Sequence, residues 1–205
     1  MVSSLQILSA TDLRRVQRVQ AITIGWMSVE VVIGMWTAWR ALSPAMFAFA
    51  GDSAIELFSA VVVLWRFRSF AVPELEERRA ARIAGVLLFL LALYVVFVSA
   101  MALLGYREPK PTYLGMSLLA AAIILMPWLA REKRRLSYKT ASAALRADAA
   151  ESALCAYLSF VALVGLAFNA FWHIGWADPV AAIVITPLIA WEGRQAMRGR
   201  ACGCC

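Results

Sequence analysis

The sequence predicts an all-α integral membrane protein of six transmembrane helices, with its N- and C-termini in the cytoplasm. Three observations lead there. Of 205 residues, 62% are hydrophobic, and the mean hydropathy is +0.73. Only 16% are charged, where a soluble domain carries about a quarter. The apolar residues also gather into segments that can cross a hydrocarbon core of about 30 Å, with short polar links between them. The expected organisation is a cytoplasmic N-terminal segment at 1–19, a six-helix transmembrane domain at 20–192 and a cytoplasmic Cys-containing tail at 193–205. This makes a multi-pass protein of the cell inner or plasma membrane.

The elements follow in order. Thr11 or Ser9 caps a short amphipathic lead-in helix. Span one, about 20–40, holds Glu30. Its apolar core from Ala21 to Trp39 exceeds the usual signal-peptide h-region, so it reads as a retained helix. Pro44 suits the start of span two, about 44–66, which holds Asp52 and Glu56. A charged link from Arg66 to Arg82 precedes span three, about 83–105. A polar turn with Pro109 and Pro111 precedes span four, about 112–130, with Pro127 near its end. The basic link Arg131, Lys133, Arg134, Arg135 and Lys139 reads as a lipid-facing cytoplasmic patch. Span five, about 140–170, carries Asp148, Glu151 and Cys155. Trp172 to Trp176 makes an aromatic interfacial turn that includes His173. Span six is about 177–191, bent at Pro187.

Charge fixes the orientation. The N-terminal segment, the Arg66–Arg82 link, the basic link and the tail collect most of the Lys and Arg, whereas the opposite side has Arg40, Arg107 and Lys110. The positive-inside rule then places both termini in the cytoplasm. The net charge of +7 does not indicate nucleic acid, because the basic residues sit in short runs between apolar spans.

Two polar clusters lie at one depth. At ~1.5 Å per residue, Asp52 is roughly 12 Å and Glu56 roughly 18 Å from the outer edge. Asp148, Glu151 and Cys155 are roughly 12, 16 and 22 Å from the inner edge. Asp52 and Glu56 are i and i+4, as are Glu151 and Cys155, and Asp148 shares the second stripe. Two such helices can enclose a four-ligand site at the midplane, where many secondary transporters bind substrate. A purely structural polar cluster is the competing reading. Against it, Arg146 is the only base expected near membrane depth, and it cannot neutralise Asp52, Glu56, Asp148, Glu151 and Glu30 together.

These residues resemble the cation diffusion facilitators, which export divalent metal ions in exchange for protons. Val29-Glu30-Val31-Val32-Ile33-Gly34 resembles that family's glutamate-bearing first helix. Asp52-Ser53-Ala54-Ile55-Glu56 resembles its second-helix metal motif. Ala147-Asp148-Ala149-Ala150-Glu151 with Cys155 falls on the fifth-helix motif Ala-Asp-x-x-His-x-x-x-Asp. Trp176-Ala177-Asp178-Pro179 and Glu192-Gly193 resemble the start and end of the sixth helix. Glu56 replaces the usual Asp, Glu151 the usual His, and Cys155 the usual Asp. The resemblance implies a homodimer, and a transmembrane-only variant without the family's cytoplasmic C-terminal domain.

The implied function is efflux of a divalent metal by proton antiport, with Asp52, Glu56, Glu151 and Cys155 as metal ligands. Cys155 can instead be a small packing residue, with Asp148 taking its place as ligand; otherwise Asp148, like Glu30, is an outer-sphere or proton-linked candidate. No resident cofactor is expected; the partners are the transported ion, protons and membrane lipid. Zinc ranks first on family grounds, then cadmium or another soft ion, then iron or manganese. Metal binding requires deprotonated carboxylates and thiolate, which is the chemical basis of exchange. Small residues such as Gly34 and Gly165 would let helices approach. Cys202, Cys204 and Cys205 can capture a soft metal or accept palmitate. The alternative function is a non-transporting membrane metal sensor or partner subunit. An enzyme is disfavoured, because no nucleophile–base pair or nucleotide loop appears.

Overall fold

The computed structural model describes residues 10–68, 74–106, 108–140 and 142–197. These form six helices: α1 (Ala10–Ala41), α2 (Pro44–Arg68), α3 (Glu74–Leu103), α4 (Tyr113–Thr140), α5 (Ala143–Trp172) and α6 (Ala177–Met197). Five are long and apolar enough to cross a membrane. The sixth, α6, falls where span six is expected, but its apolar stretch is shortened by Asp178 at one end and by Glu192 and Arg194 at the other. The tail cysteines Cys202, Cys204 and Cys205 lie outside the described residues.

Two expected links are largely helix instead: most of the Arg66–Arg82 link belongs to the end of α2 and the start of α3, and the basic link belongs to α4. The lead-in segment and span one form a single helix from Ala10. The basic run after Pro127 extends α4 to Thr140. Arg, Glu, Lys and Leu dominate Arg131–Leu136 and are good helix formers, and no Gly or Pro interrupts them. Pro127 sits inside α4 without ending it. Ser142 then caps α5, its side chain accepting from the Leu145 N–H. At the other end of α5, exposed His173 closes the helix in the left-handed conformation, φ 56°. Pro44 opens α2 as expected, with the Met46 N–H bonding Ser43 Oγ at 3.1 Å.

Helix α1 packs on α2 and α4, and α5 packs on α4 and α2, so α1–α2–α5–α4 close a ring. Helices α3 and α6 pair with each other and lean on the ring through α2 and α5. The pair approaches closely at two glycines. A Cβ on Gly85 would lie 2.7 Å from the Gly193 carbonyl oxygen, and one on Gly193 would lie 3.0 Å from that of Gly85. Gly85→Val should therefore push α3 from α6 and destabilise the protein by about 1–3 kcal/mol, read as a lower unfolding midpoint in detergent. Gly34 and Gly165, expected at close approaches, are also at contacts: Cβ atoms there would meet Ala50 Cβ at 3.0 Å and Ala181 Cβ at 2.5 Å.

The polarity of the six-helix assembly is inverted relative to a soluble bundle. Val32, Trp36, Trp39, Leu93 and Phe97 are exposed, while Gln20, Glu30, Asp52, Ser53, Glu56, Lys133, Asp148 and Ser152 are buried. Lipid solvates the outer apolar faces, and the polar groups must satisfy one another inside. One further tie sits at the outer ends of the helices. Asp178 Oδ1 accepts from Ser43 Oγ at 2.9 Å and from the Ala45 N–H at 3.3 Å, joining the start of α6 to the start of α2. The aspartate of the Trp-Ala-Asp-Pro motif thus caps a neighbouring helix.

Candidate metal site

All four ring helices send polar side chains inward. On α5, Asp148, Ser152, Cys155 and Ser159 recur at helical spacing, and all four are buried. On α2, Asp52, Ser53 and Glu56 are buried at the same level. The two helices meet where Ser152 Oγ donates to Glu56 Oε1 at 2.6 Å. From α1, Gln20 Nε2 donates to Asp148 Oδ2 at 2.6 Å.

The fourth contribution overturns a sequence expectation. The sequence places Lys133 in a cytoplasmic basic link and leaves Arg146 as the only base at membrane depth. Lys133 is instead fully buried in α4. Its Nζ donates to Ser152 Oγ at 2.7 Å and to Asp148 Oδ1 at 3.0 Å, and lies 3.7 Å from Glu56 Oε1. The signal was present: Ala122, Met126, Leu129, Lys133 and Leu136 form one buried stripe once the helical period is carried beyond Arg131. Ser152 was also missed, because a serine between Glu151 and Cys155 carries no motif of its own.

Glu30 occupies the other end of the cluster. It accepts from the Trp26 indole N–H and, through Oε2, from Ser53 Oγ at 2.9 Å. Cys155 Sγ lies 4.0 Å from that same oxygen. Glu30 therefore bridges α1 to α2 and α5. Asp148 has a partner on each oxygen, which suits a group that steadies the site from outside.

The four expected ligands thus share the α2–α5 side of the ring, but they do not yet converge. Among the described residues, no group of three or more His, Cys, Asp or Glu is positioned to hold a metal ion. Ser152 and Lys133 engage Glu56 Oε1, and Cys155 Sγ contacts Glu30 Oε2. Among the acceptors of this cluster, Glu56 Oε2, Glu151 Oε2 and Gln20 Oε1 are buried without a hydrogen-bond partner. Carboxylate oxygens and a thiol are metal-ligand types, so the donor chemistry fits a divalent ion. Ser152→Ala would remove the α2–α5 hydrogen bond and cost about 1–3 kcal/mol, measurable by thermal unfolding.

A separate cavity of about 400 Å³ opens between α4, α5 and α6, on the side that the positive-inside rule makes cytoplasmic. Arg131, Arg134 and Arg146 line it with Tyr138, Trp191 and several alanines, and no acid contributes. Such a lining repels divalent cations, so the cavity is not an extension of the carboxylate site.

A model of the cation efflux transmembrane domain matches residues 76–198. The chain is 28% identical over 162 residues to the manganese efflux system protein MneS of Bacillus subtilis (strain 168), covering 73% of this chain and 56% of that protein. It is 27% identical over 167 residues to an uncharacterized transporter of Synechocystis sp., covering 76% of this chain and 53% of that protein. The chain therefore spans about half the length of the curated relatives it matches.

Proposed function

This chain belongs to the cation efflux family, and from that premise we propose that it exports a divalent metal ion across the plasma membrane in exchange for protons. The ion binds near the midplane, between α2 and α5. The observation that carries this reading is the pair of open carboxylate oxygens, Glu56 Oε2 and Glu151 Oε2, buried on helices that touch through Ser152 and Glu56. Asp52 lies one helical turn from Glu56 and completes an acidic face.

Three carboxylates and no histidine favour a harder ion than the family's usual His-bearing site does. One relative is named for manganese efflux. We therefore rank Mn²⁺ ahead of Zn²⁺ and Cd²⁺, with Cys155 as the residue that would draw the soft ions. Glu30 and Asp148 steady the site, and loading the carboxylates with metal displaces protons. The working unit is a homodimer.

The test is metal uptake into proteoliposomes under a pH gradient, with simultaneous readout of internal pH. Mn²⁺ uptake coupled to proton movement, and lost in Asp52→Ala and Glu151→Ala, is the expected result. Uptake unchanged in both variants overturns the site. No divalent transport by the wild-type protein favours a sensor or partner subunit instead. Cys155→Ser should weaken Cd²⁺ uptake at least about ten-fold more than Mn²⁺ uptake; an equal effect on both would remove sulfur from the ligand set.

A further inference from the structure

Lys133 is the one fully buried basic side chain among the described residues, and it points at the acids that the proposed site would use. We infer that Lys133 is a tethered stand-in for the transported ion. Its ammonium occupies the Glu56–Ser152–Asp148 position while no metal is bound, and it withdraws when one arrives. The inference rests on the α2–α5 site proposed above and assigns a competitor to it.

Three oxygens from two helices surround Nζ: Ser152 Oγ at 2.7 Å, Asp148 Oδ1 at 3.0 Å and Glu56 Oε1 at 3.7 Å. The first two accept hydrogen bonds and the third makes a longer ion pair, so the ammonium draws on oxygens from both helices that a metal would use. Ser152 also links the two charges directly, since it accepts from Lys133 and donates to Glu56. A divalent ion drawing on Glu56 would lie within a few ångströms of the ammonium in a low-dielectric interior. Like charges that close repel strongly, so both cannot stay.

Withdrawal would carry the side chain along α4. Lys133 sits about 10 Å from the Thr140 end of α4. Its flexible four-carbon stem can carry the ammonium toward the cytoplasmic interface while the methylenes stay in the apolar wall. Asp148 would keep its bond from Gln20 during that movement. On metal release the ammonium returns, so the emptied carboxylates are not left without a counter-charge. The tether thus weakens metal binding and speeds release.

A purely structural lysine predicts the opposite sign, because removing it would disorder the site and loosen metal. The experiment measures Mn²⁺ binding by calorimetry to the purified full chain in detergent. Wild type is compared with Lys133→Met and Lys133→Arg, and Asp148→Asn with Lys133→Met/Asp148→Asn. The second comparison removes the ammonium without leaving Asp148 as an unpaired charge. The expected result is at least about ten-fold tighter Mn²⁺ binding on loss of the ammonium in each pair, with Lys133→Arg staying close to wild type because it keeps the charge. In proteoliposomes Lys133→Met should saturate at lower Mn²⁺ and turn over more slowly. Binding that is equal or weaker in both comparisons, with monodisperse protein, overturns the inference alone. If Lys133→Met does not fold, the Asp148→Asn pair decides. Absence of Mn²⁺ binding in wild type and every Lys133 variant overturns the α2–α5 site and this inference together.

Discussion

Glu56→Gln should abolish metal transport while leaving a folded protein. The amide keeps nearly the same shape, and its oxygen can still accept from Ser152, which holds α2 to α5 at 2.6 Å. What it loses is the negative charge and the open second oxygen, Glu56 Oε2. Removing an outer-sphere partner of a metal ligand already costs about 10–100-fold in affinity or activity. Loss of a direct ligand should therefore reduce Mn²⁺ uptake in proteoliposomes by at least about 100-fold. An unfolding midpoint close to that of wild type would separate this effect from simple destabilisation. Robust transport by Glu56→Gln would move the site away from α2.

Asp148→Leu should have the largest effect on stability. Lys133 would lose its 3.0 Å partner while fully buried, and the Gln20 amide would lose its acceptor as well. Breaking a buried ion pair from one side costs about 3–5 kcal/mol, and the Glu56 carboxylate at 3.7 Å would compensate Lys133 only in part. Denaturant or thermal unfolding in detergent should show that loss. Adding Lys133→Met to Asp148→Leu should recover much of it, since both charges are then gone. Equal instability in the single and double variants would mean that packing, not charge, holds α4 to α5 here.

The fold was largely legible because its signals are simple. Apolar length marked the first five helices, Pro44 marked the start of α2, and Asp52, Glu56, Asp148 and Glu151 stood out as costly charges in apolar runs. What escaped was set by tertiary context. A lysine in a run of five basic residues looks like a surface residue, yet only Lys133 of that run is fully buried. Its burial depends on α4 continuing past Arg131, and its stability depends on Asp148, 15 residues away in sequence. Ser152 and Gln20 were silent for a related reason: their value lies wholly in partners on other helices. The Asp178 cap was hidden inside a motif that spacing alone could not interpret.

That cap has a mechanical consequence. Asp178 fastens α6 to α2 at their outer ends, through Ser43 and the Ala45 amide. A rod held at one end moves most at the other. Helix α6 has 21 residues, a lever of roughly 30 Å. A tilt of about 10° about that fastening carries its far end about 5 Å and leaves the near end in place. The Trp-Ala-Asp-Pro motif thus fixes the outer end of α6, and any tilt would have to carry α3 along, because the two helices are in close contact at Gly85 and Gly193 near the end where the arginine-lined cavity lies.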